Sequence, residues 1–211
     1  SNTIKMNSLP VVETFRSIQG EGIHSGRSAF FIRLAGCNVA CSWCDTKHSW
    51  PQSAHPRRSL AELSAETAAA AADGAAFVVI TGGEPLHHNL DELCEILAVL
   101  GLPLHLETSG VDALSGKFDW ISLSPKRHKP PCNELLSCCD ELKLVVHEVA
   151  DLEFAESMAA ANIAAANQKS ATLLLQPGAD CPAGRDLAIN YVLKHPNWRL
   201  SLQTHKWLGV Q

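Results

Sequence analysis

Short apolar runs alternate with longer stretches of helical period along most of the chain. Residues 11–18, 29–34, 76–81, 103–107, 120–123, 142–146, 172–175 and 198–202 read as strands. Several are continuously apolar, as strands buried on both faces are. Helices are expected between them over 59–73, 89–100, 151–166 and 185–193. Ser59 with Glu62 forms a capping box for the first of these, and Gly74 and Gly101 stop the first two. Residues 47–58 are polar, hold two prolines and read as a loop. Strand–helix alternation argues a parallel sheet with right-handed crossovers. The connections 111–119 and 127–141 can return a parallel strand but hold little or no helix. The expected fold is therefore α/β, a partial TIM-like barrel of about six parallel strands with reduced helices, in a single domain over 1–211.

The polar and glycine-rich motifs are placed unevenly on this pattern. Cys37-x3-Cys41-x2-Cys44, Thr81-Gly82-Gly83-Glu84-Pro85, Glu107-Thr108-Ser109-Gly110, Ser124-Pro125-Lys126, Gln176-Pro177-Gly178 and Gln203-Thr204-His205-Lys206 all follow strand ends. The strand starts at 74–75, 101–102 and 140–141 are chemically plain. In barrels and open α/β sheets the active site lies at the carboxyl ends of the strands. Six such ends predict one mouth lined with ligands.

Composition narrows the classes. A net charge of -5 without a lysine or arginine run argues against general nucleic-acid or membrane-surface binding. No apolar stretch reaches the length of a membrane span. Residues 1–6 have no signal-peptide core and read as a tag remnant or a disordered lead. Eight cysteines without an export signal point to reduced thiols in the cytoplasm, which suits metal ligation.

Three of those thiols fall within eight residues. A structural zinc site is closed by four protein ligands, and a cubane cluster needs a ligand on each iron. Three close thiolates therefore suggest a cluster with one open iron, and the spacing resembles the radical S-adenosylmethionine (SAM) signature. A zinc knuckle with a distant fourth ligand, or chance, are the competing readings. Asp45-Thr46 offers hard oxygens of the kind magnesium takes, yet reads first as a helix cap. Arg33, inside an apolar strand, serves either a carboxylate ligand or a salt bridge. Gln19-Gly20-Glu21-Gly22 is a tight turn that exposes backbone N–H groups, or an ordinary hairpin turn. Cys94 reads as core, Cys132, Cys138 and Cys139 fit no common cluster spacing, and Cys181 reads as free. His87-His88 reads as a solvated loop.

Taken together, Phe15 to Gly22, Phe31 to Asn38, Cys44-Asp45-Thr46 and the strand-end motifs resemble the 7-carboxy-7-deazaguanine synthase family of radical SAM enzymes. The resemblance runs from about Val12 to the C-terminus. It implies conversion of 6-carboxy-5,6,7,8-tetrahydropterin to 7-carboxy-7-deazaguanine with loss of ammonia, in queuosine and 7-deazapurine biosynthesis. It implies a 4Fe-4S cluster on Cys37, Cys41 and Cys44, and magnesium at Thr46 in place of the cap. SAM is expected to meet Gly83, Glu84, Ser124, Pro125, Lys126, Gln176 and Pro177. The pterin is expected to meet Ile18, Gln19, Gly20, Glu21, Arg33 (at its carboxylate), Thr81, His205 and Gln211. In the implied mechanism a 5′-deoxyadenosyl radical takes the hydrogen at pterin C6, the ring contracts, and SAM is regenerated. A reducing donor such as flavodoxin and a homodimer are expected as partners, with no direct nucleic-acid or membrane contact. Two other readings stay open: a radical SAM activating enzyme acting on a partner protein, and a non-catalytic zinc-binding module.

Overall fold

The computed structural model of the protein describes residues 7–36, 51, 55–166 and 170–211. The chain forms two compact units, each with its own part of an α/β architecture. The first comprises Ser1–Ile18, Arg27–Glu107 and Ser115–Trp120, and the second Gln19–Gly26, Thr108–Leu114 and Ile121–Gln211.

In the first unit β1 (Ser8–Ile18) and β2 (Ser28–Leu34) pair antiparallel. The connection between them is too short for a parallel return, so the hairpin reading of the glycine turn holds for the backbone. β3 (Arg57–Ser59) pairs with β1, a strand within the stretch expected to be a loop. It forms because Ser8, Leu9 and Pro10 offer it an edge and Arg57 bonds the Ser8 carbonyl at 2.6 Å. β4 (Phe77–Gly82) and β5 (Leu104–Thr108) continue from β2 in parallel, giving the order β3-β1-β2-β4-β5. α1 (Leu60–Ala72) starts at Ser59, whose hydroxyl accepts from the Glu62 N–H, as the capping box predicts. α2 is Asp91–Ala98.

The period of two divides β2 and β4 into faces. Ile32, Leu34, Val78 and Ile80 are fully buried on one face. On the other, Phe31, Phe77 and Val79 form an apolar cluster against Phe15, and Phe15 and Phe31 stack with centroids 5.0 Å apart. Arg33 and Thr81, partners in register, follow on that same face.

In the second unit β6 (Trp120–Leu123), β7 (Glu141–Val146), β8 (Thr172–Pro177) and β9 (Trp198–Leu200) are all parallel, in that order. The first unit thus carries three parallel strands, β2, β4 and β5, and the second carries four, where the sequence predicts about six in all. The reduced connections are as the sequence predicts: 111–119 holds no helix and 127–141 only α3 (Asn133–Cys138). α4 (Val149–Ala165) and α5 (Pro182–Lys194) are full crossovers. The C-terminal motif, read as an irregular strand end, is instead a short helix, α6 (Thr204–Leu208). The last strand stops earlier than expected, at Leu200, because this turn takes over the chain.

Candidate active site

The three cysteines of the loop, with Asp45 and Thr46, lie outside the described residues. The stem from which the loop departs is described, and it is fixed. The carbonyls of Leu34, Ala35 and Gly36 each accept a hydrogen bond. Gly83 N–H takes the first at 3.1 Å and Glu84 N–H the third at 2.8 Å. His88 Nε2 takes the second at 2.7 Å. Burial lowers the His88 pKa, so the neutral ring donates its Nε2–H to that carbonyl. The expectation of a solvated histidine pair is thus wrong for His88, which is half-buried and holds the loop's base. Gly82 makes the approach possible. It sits at φ +149, and a Cβ there would collide with the Leu34 carbonyl oxygen.

Glu84 is buried at 1% exposure. Its Oε2 accepts from Leu86 N–H at 2.8 Å and caps the one-turn 3-10 helix Pro85–His87. Arg33 donates Nε–H to Glu13 Oε1 at 3.0 Å and lies over the Phe15 ring, 5.8 Å from its centroid. The salt-bridge reading of Arg33 is therefore realised, and among the described residues it leaves the Nη groups of the fork for a further acceptor.

In the second unit the turn 19–26 is held by the polar face of the sheet. Ser122, Glu141 and Lys143 project from one face of β6 and β7, and Gln176 from the same face of β8. Lys143 Nζ donates to Glu21 Oε2 at 2.6 Å. Gln176 Nε2 and Gln203 Nε2 each donate to Glu21 Oε1 at 3.0 Å. Ser201 Oγ donates to Gln176 Oε1 at 3.0 Å and accepts from Gly22 N–H at 3.1 Å. Ile23 N–H goes to Glu141 Oε2 at 3.0 Å. Burial on its own would raise the Glu21 carboxyl. The Lys143 charge and hydrogen bond, with the two glutamine amides, bring it down to about 2.

The C-terminal segment closes on the same turn. Thr204 donates both N–H and Oγ1–H to the Gly20 carbonyl, each at 3.0 Å. The His205 ring lies where a Cβ on Gly20 would be. Gln19 is buried and its Oε1 accepts from Glu21 N–H at 3.2 Å. Ile18 is the last residue of β1, and Gln211 is exposed at the end of the tail. Ser124 N–H bonds the Thr108 carbonyl at 2.8 Å, and Lys126 Nζ donates to Ser124 Oγ at 2.9 Å, beside Pro125. Gln176 is buried and Pro177 ends β8.

Glu141, Lys143 and Ser201 are absent from the residues the sequence singles out, and Gln203 appears there only as part of the last strand-end motif. The signal was present: Glu141-x-Lys143 sets two opposite charges on one face of an otherwise apolar strand. A glutamate and a lysine so buried need partners.

The described thiols lie apart in sequence from the cysteine loop. Among the described residues no group of three metal-ligating side chains gathers. Burial pushes Cys94 up to about 11 and Cys139 up to about 12, and raises Cys138, so these stay protonated. Cys181 sits at the start of α5, where its sulfur accepts from Gly184 N–H at 3.4 Å.

Known proteins resemble this chain in sequence and in fold. The profile of the radical SAM superfamily matches residues 31–126. A 7-carboxy-7-deazaguanine synthase from Prochlorococcus marinus is 52% identical, over 96% of this chain and 98% of that protein. The synthase of the same name from Escherichia coli K12 is 35% identical, over 95% and 98%. The crystal structure of QueE from Escherichia coli superposes with a TM-score of 0.79 at 32% identity, covering 93% of this chain and 94% of that one. With 35–52% identity over nearly the full length of such relatives, the chain belongs to the 7-carboxy-7-deazaguanine synthase family of radical SAM enzymes.

Proposed function

We propose that this chain converts 6-carboxy-5,6,7,8-tetrahydropterin to 7-carboxy-7-deazaguanine with loss of ammonia, as a radical SAM lyase of the queuosine and 7-deazapurine pathway. The observation that carries this reading is the 52% identity, end to end, with a synthase of that name. The geometry of the strand ends supports it.

Cys37, Cys41 and Cys44 would hold a 4Fe-4S cluster. When bound, the cluster supplies the electron that makes a radical from SAM. The rest is binding and orientation by the chain. The clamped carbonyls at 34–36 fix the point from which the cysteine-bearing segment departs. Gly83 and Glu84, at the other side of that clamp, are assigned to SAM, with Ser124, Pro125, Lys126 and Pro177. Gln176 is assigned there too, though its amide is committed to Glu21 and Ser201.

The pterin is assigned to Ile18, Gln19, Gly20, Glu21, Thr81, His205 and Gln211. Arg33 grips its carboxylate through the Nη groups while Glu13 holds Nε–H, a geometry suited to bidentate recognition. Thr46 would hold magnesium, whose charge would favour the substrate carboxylate. The enzyme works in the cytoplasm as a homodimer and takes electrons from a donor such as flavodoxin. No helix among the described residues is long and apolar enough to cross a membrane.

Anaerobic reconstitution with iron and sulfide tests the first assignment: about four irons should bind per chain. Replacing Cys41 by alanine should abolish both the cluster and product. A colourless zinc protein would sink the reading.

A further inference from the structure

Glu21 is the centre of the polar network in the second unit, and its charge is satisfied from three segments of the fold. Lys143 comes from β7, Gln176 from β8, and Gln203 from the segment before α6. The side chains of Lys143 and Glu21 are 8% and 17% exposed. A lysine this buried in a strand is retained only with a partner. Its placement is not accidental to the turn, because the neighbouring amides of Gly22 and Ile23 are taken by Ser201 and Glu141 on the same polar face. Every one of these contacts immobilises the turn that carries Gln19 and Gly20.

We propose that Lys143 is a positioning residue for the substrate: it fixes the Glu21 carboxylate and, through it, the Gln19-Gly20 backbone that meets the pterin. The proposal rests on the assignment of Gln19 and Gly20 as pterin contacts. Lys143 does its work from beneath the turn, by charge and one short hydrogen bond. Gln176 belongs to the same lock, since its amide is oriented by Ser201 and spent on Glu21.

The chemistry gives a signature that a merely structural lysine lacks. With Lys143 replaced by methionine, Glu21 becomes a buried carboxylate without a cation. Its neutral form is then the cheaper one to dock. Docking of the turn therefore improves as pH falls, whereas the wild type, with Glu21 ionised down to about pH 2, stays flat from pH 7 to 5. Lys143 on β7 is the charged group on the Glu21 carboxylate, and neutral Gln176 and Gln203 complete its shell; Glu141 on β7 and His205 on α6 face the turn at Gly22–Ile23 and at Gly20.

The test is amide hydrogen exchange at Gly22 and Ile23, with steady-state kinetics alongside. Lys143→Met should speed exchange at both amides about tenfold or more, the loss expected for a charge-assisted bond, and leave β8 protected. KM for the carboxypterin should rise by about the same factor, with kcat and iron content little changed. Both effects should shrink from pH 7 to pH 5. Glu21→Gln combined with Lys143→Met buries no charge and should exchange more slowly than either single variant. If Lys143→Met does not fold alone, recovery of folding in the double variant supports the pairing. Unchanged exchange in Lys143→Met, or strictly additive effects in the double variant, would overturn the proposal. Exchange needs no turnover, so an enzyme that made no deazaguanine would defeat the functional reading and leave this test standing.

Discussion

Each unit carries an ion pair on the face of its sheet that also bears the candidate ligands, and the two pairs are built differently. In the first, Arg33 and Glu13 meet at 3.0 Å with side chains 19% and 32% exposed, above a cluster of phenylalanines. In the second, Lys143 and Glu21 meet at 2.6 Å, are 8% and 17% exposed, and two glutamine amides complete the shell. Water can still reach the first pair, and the guanidinium keeps donors for a ligand. The second is closed on itself and holds a backbone turn. A partly exposed pair is cheap to rearrange, and a buried one is costly to break. The difference separates a pair that water can still enter from one whose groups are spent on holding a turn.

The comparison is broken most severely at Glu21. Glu21→Ala removes the carboxylate with which the buried Lys143 ammonium pairs and should cost about 3–5 kcal/mol, read from urea unfolding. A loss below about 1 kcal/mol would mean that water already enters the second pair.

Acid unfolding reads the same pair. The Glu21 carboxyl lies at about 2 in the fold against 4.5 ordinarily. Its depressed pKa contributes stability that is complete above about pH 4.5 and lost as pH falls toward 2, on the order of 3 kcal/mol. Glu21→Gln should remove that part of the acid dependence, as urea midpoints at pH 5 and pH 2.5 would show.

In the first unit the stem of the cysteine loop is the sharper target. Gly82→Ala places a methyl on the Leu34 carbonyl oxygen, backbone against backbone, at a φ that side chains rarely adopt. About 1–3 kcal/mol should be lost. Iron retention should fall with it, because the strain acts on the clamp at 34–36.

The smallest structural effect belongs to Arg33. Arg33→Ala should change stability by about 1 kcal/mol or less and leave iron content intact. KM for the carboxypterin should rise. Loss of iron instead would make Arg33 a structural residue of the stem.

Much of the fold was legible because its strands and helices follow plain periods. Val78 to Ile80 can only be a buried strand, and Ser59 with Glu62 marks the start of α1. β3 was not legible, since Arg57 and Arg58 have no strand pattern and pair only because β1 offers an edge. α6 was missed for a similar reason: five residues carry no period, and the turn is set by Thr204 bonding to Gly20, far away in sequence. At the site, the motifs at strand ends announced themselves by composition. Lys143 did not, because its meaning depends on the Glu21 turn lying over it, a contact no local pattern encodes. His88 was misjudged on the same ground, its partner being the Ala35 carbonyl.

The central claim is the reaction. Reconstituted, reduced enzyme is incubated without oxygen with SAM and 6-carboxy-5,6,7,8-tetrahydropterin, and product and SAM are followed together. The account predicts many turnovers of 7-carboxy-7-deazaguanine and ammonia per SAM consumed. Cleavage of SAM without any deazaguanine, or an intact cluster that leaves the pterin untouched, would contradict it.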